Sequence, residues 1–320
     1  MYKLTIAVLT YNRANYLKIM LDSIMQQTFK EFIIIIYDNC SEDNTSEIVK
    51  PYLDDNRFSY HKHAVIINNF NYALQNCKTD YLLIVHDDDY MHPDMVKEEI
   101  TILDANKEFS IVWTNMNHVD INGQIIRPSF LSRRMNNQDC VINSREYIEV
   151  LIKKDNIVVC PAVMFRMSIM KTYNLCFREN VGKAADLYLW LELSQLNYKF
   201  YYINNALYNY RIHDGQDSRQ TLLLNPLLKK PVYSMLLENN YSKDIIKSWL
   251  KWVNYKILFA IDKGQNKKHS FNMIKNHIFL KNEREYTFRV LLFCLLYVPS
   301  FISIKKIIPN PIKRLIRSAV

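Results

Sequence analysis

The chain has 320 residues, 49% of them apolar, which is enough for one large core or for a core with an appendage. Its four glycines, Gly123, Gly182, Gly215 and Gly264, form no glycine-rich cradle of the dinucleotide or P-loop type, so any nucleotide must be held by other means. The net charge is +9, and paired basic residues fall late (Lys229-Lys230, Lys267-Lys268, Lys305-Lys306, Lys313-Arg314) without a nucleic-acid reader motif; an anionic membrane surface suits them better than nucleic acid.

In chain order, the first ten residues are apolar too briefly for a signal peptide and break at Tyr11-Asn12-Arg13, so they read as a first strand over 4–9. Leu17, Met20, Leu21, Ile24 and Met25 then follow the helical i, i+3, i+4, i+7, i+8 pattern, with Asn12 as the expected N-cap. A second strand over 32–37 precedes a helix that Ser41 would cap, with Glu42 and Asp43 favourable to its dipole. Strands over 58–61 and 81–85 follow, and Pro93 opens a third helix. This βαβα series predicts a mainly parallel, doubly wound α/β sheet.

Farther along, strands over 111–116 and 124–127 are joined through the turn Asp120-Ile121-Asn122-Gly123. A helix over 145–153, a strand over 162–165, a helix over 186–196 and two short strands over 198–203 and 207–212 come next. From Ser218 the pattern is helical, dividing the chain into residues 1–217 and a helical extension, 218–320. The apolar run over 290–304 is short for a membrane span and is interrupted by Pro299; it reads either as a core helix or as a shallow membrane contact with Lys305-Lys306 at the headgroups. The six cysteines form no CxxC pair, which suits a reducing cytoplasm and small core residues, with any membrane association peripheral, on the cytoplasmic face.

The most informative stretch is Tyr81-Leu82-Leu83-Ile84-Val85-His86-Asp87-Asp88-Asp89, an apolar strand running into three carboxylates. Like charges at a strand end oppose one another's ionisation, and a divalent cation resolves that conflict. A solvated acidic turn is the plain alternative. Thr10-Tyr11-Asn12-Arg13 and Asp38-Asn39-Cys40-Ser41-Glu42-Asp43-Asn44-Thr45 also stand at strand ends, where ligands bind in open α/β sheets.

In order and spacing these pieces, with Gln27-Thr28 between them, resemble the family-2 inverting glycosyltransferases of the GT-A fold over residues 3–215. The resemblance implies a nucleotide diphosphate sugar donor such as a UDP-sugar and a hydroxyl of a glycan or lipid-linked acceptor, in bacterial surface polysaccharide assembly. It places Thr10, Tyr11, Arg13, Asp38, Asp87 and Arg211 at the donor, with Tyr11 on the base and Asp38 accepting from its ring N–H. The triplet allows more than one register: Asp88 becomes the main contact to Mn²⁺ or Mg²⁺, with Asp87 toward the ribose or the metal, Asp89 in support and His213 as a further ligand or phosphate contact; His86 stands where many members carry a first Asp. The Glu-Asp pair of the family is Ala185-Asp186 here, leaving Asp186 as the base, or alternatively a helix-capping carboxylate. A non-catalytic sugar-nucleotide binding protein and a nucleotidyltransferase are the competing readings, and a homo-oligomer is left open.

Overall fold

The structure, a computed structural model, describes residues 2–64, 68–143, 146–154, 156–179, 181 and 185–213, with scattered positions between 236 and 248. By its contacts the chain divides into two units. One comprises Met1–Glu179 with Ala185–Gly215; the other comprises Asn180–Ala184 with Gln216–Val320. In the second unit Ser242 Oγ accepts from the Ile245 N–H at the start of a helical stretch over 243–246. The expected membrane-contact segment, 290–304, lies outside the described residues. Among the described residues no helix is long and apolar enough to cross a membrane.

The first unit is built on a ten-stranded sheet. Its parallel half comprises β1 (Leu4–Thr10), β2 (Phe32–Asp38), β3 (Phe58–Lys62) and β4 (Tyr81–His86), in the order β3-β2-β1-β4. The runs Ile33–Ile36 and Leu82–Val85 explain the placement: β-branched and apolar side chains without alternation fit strands covered on both faces, and Leu82, Leu83, Ile84 and Val85 are fully buried. Between these strands lie α1 (Ala14–Met25), α2 (Thr45–Val49) and α3 (Asn69–Asn76).

The sheet continues through short β5 (Tyr90–Met91), α4 (Met95–Ala105), β6 (Phe109–Val119), β7 (Ile125–Arg127), β8 (Cys140–Asn143), α5 (Tyr147–Lys154), β9 (Val163–Arg166), α6 (Met167–Thr172), α7 (Ala185–Leu193) and β10 (Lys199–Arg211). β9 runs antiparallel between β4 and β6, and β10 is parallel to β6. The two strands expected over 198–203 and 207–212 are one strand, β10, which absorbs register shifts at Ile203, Ala206 and Tyr208. Its first part pairs with β8 and its last part with β5, because the irregularity re-aims the strand partway along.

Two expected caps differ. Asn12 takes a left-handed backbone (φ 52°) that asparagine tolerates, and the residue before α1 is Arg13. Ser41 does not cap α2, whose N-cap is Asn44; its Oγ instead accepts from the Asn12 N–H at 2.9 Å. Asp43 links the two helices. Its carboxylate accepts from the Ala14 N–H in the first turn of α1 (3.0 Å) and from the Thr45 hydroxyl at the start of α2 (2.6 Å).

Candidate active site

β1, β2 and β4 end level with one another. Thr10 pairs with Asp38, Leu9 with His86, and the Asp87 N–H donates to the Leu9 carbonyl at 3.2 Å. Strand register alone therefore carries Thr10, Asp38 and the acidic triplet to one edge of the sheet, the carboxyl edge where open α/β sheets bind ligands.

Asp87 and Asp88 are nearly inaccessible to solvent and share one cation. Arg13 Nη1 lies 3.1 Å from Asp87 Oδ1 and 3.1 Å from Asp88 Oδ2. The Tyr11 N–H donates to Asp87 Oδ2 at 3.2 Å, while the Tyr11 ring stays exposed. Burial raises Asp87 to about 6, against the attraction of Arg13. Burial also opposes ionisation of Asp88, but His86, Arg13 and His213 outweigh it and hold its pKa below the ordinary value. His213 Nε2 lies 2.9 Å from Asp88 Oδ2.

Asp89 has a different setting. It is fully buried, accepting from Tyr208 OH (2.9 Å) and from the Arg211 N–H (2.8 Å), and burial pushes its pKa well up. Arg211 also donates from Nε to the Asp88 carbonyl (2.7 Å) and from Nη1 to the carbonyls of Asp120 and Ile121 (3.0 Å each). Its guanidinium lies 4.8 Å from the Tyr16 ring centroid. The end of β10 is thereby fastened to the loop after β4.

One ligand atom each from His86, Asp88 and Asp89 falls within 4.8 Å of the others. Two carboxylates and an imidazole so placed fit a divalent cation. Of the predicted metal set, Asp88 and Asp89 belong to this group, and His213 contacts Asp88. In the sequence His86 stands out only for the residue it replaces; its place at the last register pair of β4 is the signal available for it.

Asp38 is buried at the end of β2, where the Ser41 N–H (2.8 Å) and Tyr60 OH (2.5 Å) donate to its two oxygens. At the neighbouring position in β2, Tyr37 lies parallel to His63, and Tyr72 stands edge-on to both. Tyr60 and this aromatic group were not read from sequence. Asp186 lies in the first turn of α7 and accepts from the Leu187 N–H at 2.7 Å. The residue is half-buried, and burial of its carboxyl raises the pKa to about 6 against the bond from the Leu187 N–H.

Two observations locate the start of α7. Trp190, one turn on, stacks on Phe165 of β9 at 5.7 Å, and the Asp186 charge, after burial, raises the Cys160 thiol. Cys160 opens the 3-10 turn Cys160–Ala162 that leads into β9, whose Phe165 and Met164 pair with Leu82 and Leu83 of β4.

A mixed α/β sheet with carboxylates gathered at the end of its fourth strand is a GT-A glycosyltransferase architecture. Solved structures agree in fold: S. aureus TarS residues 1–349 in complex with UDP-GlcNAc superposes with a TM-score of 0.56 over 99% of this chain and 87% of that one, at 16% identity. The mannosyltransferase PcManGT from Pyrobaculum calidifontis, in complex with GDP-Man and Mn²⁺, gives 0.55 over 91% and 85%, at 15% identity. The family model described as glycosyl transferase family 2 matches residues 5–173, and the chain belongs to that family. An uncharacterised glycosyltransferase of Rickettsia typhi is 24% identical over 68% of this chain and 66% of its own length. The chondroitin synthase of Escherichia coli is 27% identical over 68% of this chain, which spans only 30% of that protein.

Proposed function

We propose that the chain transfers a sugar, with inversion and in a metal-dependent reaction, from a UDP-sugar to a hydroxyl of a glycan or lipid-linked acceptor in surface polysaccharide synthesis. The observation that carries this reading is the convergence of Asp87, Asp88, Arg13 and His213 within direct contact at the edge that also holds Asp38. Residues 1–217 form the donor-binding catalytic domain in this reading, and 218–320 an extension that contacts an anionic membrane from the cytoplasmic side. The relatives support the donor class: the solved complexes named above carry UDP-GlcNAc and GDP-Man.

Tyr11 offers an exposed ring for base stacking beside Thr10, and Asp38, held rigid by two donors, accepts from the base. Asp87 orients the ribose, and Arg13 with Arg211 offsets phosphate charge. Asp88, Asp89, His86 and His213 would hold Mn²⁺ or Mg²⁺, which when bound stabilises negative charge on the leaving diphosphate. Asp186 takes the proton from the acceptor hydroxyl as that oxygen attacks the anomeric carbon from the face opposite the diphosphate. A carboxyl with a pKa near 6 is suited to accept a proton at neutral pH.

A thermal-shift panel of nucleotide sugars with and without Mn²⁺ tests the proposal. UDP or a UDP-sugar with Mn²⁺ raises the melting temperature by several degrees, and Asp88→Ala abolishes that rise. No rise with any nucleotide, or an undiminished rise in Asp88→Ala, contradicts it.

A further inference from the structure

Beyond the donor site, the β6–β7 hairpin presents an unexplained surface. All three residues of β7 are exposed, so this short strand projects from the sheet instead of covering it. Ile121, Ile125 and Ile126 are 58%, 56% and 57% accessible, three large aliphatic side chains within six residues. Gly123, at φ 82°, makes the tight turn between the strands.

The adjoining surface is cationic. From Val119 to Arg134 the sequence holds three arginines and one carboxylate, Asp120. That carboxylate is turned into its own loop, accepting from the N–H groups of Asn122 and Gln124 (2.9 and 2.8 Å). Arg127 and Arg134 lie against the Phe130 ring, 4.6 and 5.0 Å from its centroid, and Phe130 stacks on His118 at 4.0 Å. Arg133 is exposed, and no carboxylate among the described residues pairs with Arg127 or Arg133. Burial, then Arg127 and Arg134, lower His118 to about 4, so its ring adds no charge at neutral pH.

Exposed isoleucines beside arginines that lack carboxylate partners complement a surface that is apolar below and anionic above. We propose that the β6–β7 hairpin docks on an anionic phospholipid bilayer, with the isoleucines at the acyl boundary and Arg127 and Arg133 among the headgroup phosphates. The hairpin is bonded to the acidic edge: Arg211 holds the carbonyls of Asp120 and Ile121, and Tyr90 OH donates to the Gly123 carbonyl at 3.1 Å. Docking there brings the candidate active site to headgroup level, where a lipid-linked hydroxyl is presented. That last step rests on the proposed acceptor; the docking itself does not.

Hydrogen exchange of the full chain, with vesicles containing phosphatidylglycerol and with neutral phosphatidylcholine vesicles, tests the proposal. Peptides covering 119–134 are expected to exchange roughly tenfold more slowly with the anionic vesicles alone. Ile125→Ser/Ile126→Ser and Arg127→Ala/Arg133→Ala are each expected to weaken partitioning, by about fivefold per arginine. Both variants keep the wild-type thermal shift with UDP and Mn²⁺, which separates failure of docking from failure of the donor reading. Absence of protection over 119–134, protection confined to 290–320, or equal protection by neutral vesicles overturns the proposal. So does protection without lipid accompanied by a doubled mass, which would assign the face to a second copy of the chain.

Discussion

Asp87 is held by Arg13 and the Tyr11 N–H in a setting almost closed to water, and its raised pKa has a stability consequence. A carboxyl at about 6 in the folded chain and 3.8 in the unfolded one binds its proton more tightly when folded. Its contribution is fully present below pH 3.8 and is lost as pH rises through about 6, a difference of about 3 kcal/mol. Asp87→Asn without donor is therefore expected to melt above the wild type at pH 7.5, the gap closing toward pH 4, while its affinity for UDP falls. Equal melting at both pH values contradicts this. That a charge conflict exists at Asp87-Asp88-Asp89 was legible in sequence, because three acids ending a buried strand cannot all be solvated. Which acid does what was not, since Tyr208 and Arg211, which hold Asp89 in place, stand over a hundred residues away.

Gln27 shows how an element boundary can carry information that local propensity does not. From the end of α1 its amide donates to the His92 carbonyl (2.8 Å) and accepts from the Val96 N–H (3.0 Å), while the Thr28 hydroxyl donates to Asp94 (2.9 Å). The Gln-Thr pair thus ties α1 to the segment leaving the acidic triplet. Helix α3 escaped sequence reading because Asn69–Asn76 contains three asparagines; it is secured by its Asn68 cap and by the paired bonds between Asn71 and Phe177 (2.8 Å each). In α4, Glu99 is fully buried, neither carboxylate oxygen has a partner among the described residues, and burial pushes its pKa well up. Nothing in the structure explains a carboxyl there. Glu99→Leu is expected to stabilise the protein by about 1–3 kcal/mol in denaturant unfolding at pH 7.5, and a loss of stability would reveal a hidden partner.

For the molecule as a whole, the parallel half of the sheet was the legible part, because each βα step carries its own periodicity and strand-end signals. The half beyond β4 was less so. There β6 and β10 each divide one edge between two partners, and such pairings depend on distant segments of chain. The proposed chemistry needs both halves, with the diphosphate site at β4 and the base at the start of α7. The rate of UDP release from donor-saturated, Mn²⁺-loaded Asp186→Asn protein tests that division of labour most directly. The expected result is a fall of about 10²–10⁴-fold with UDP affinity unchanged. A wild-type rate, or loss of UDP binding along with turnover, would contradict it.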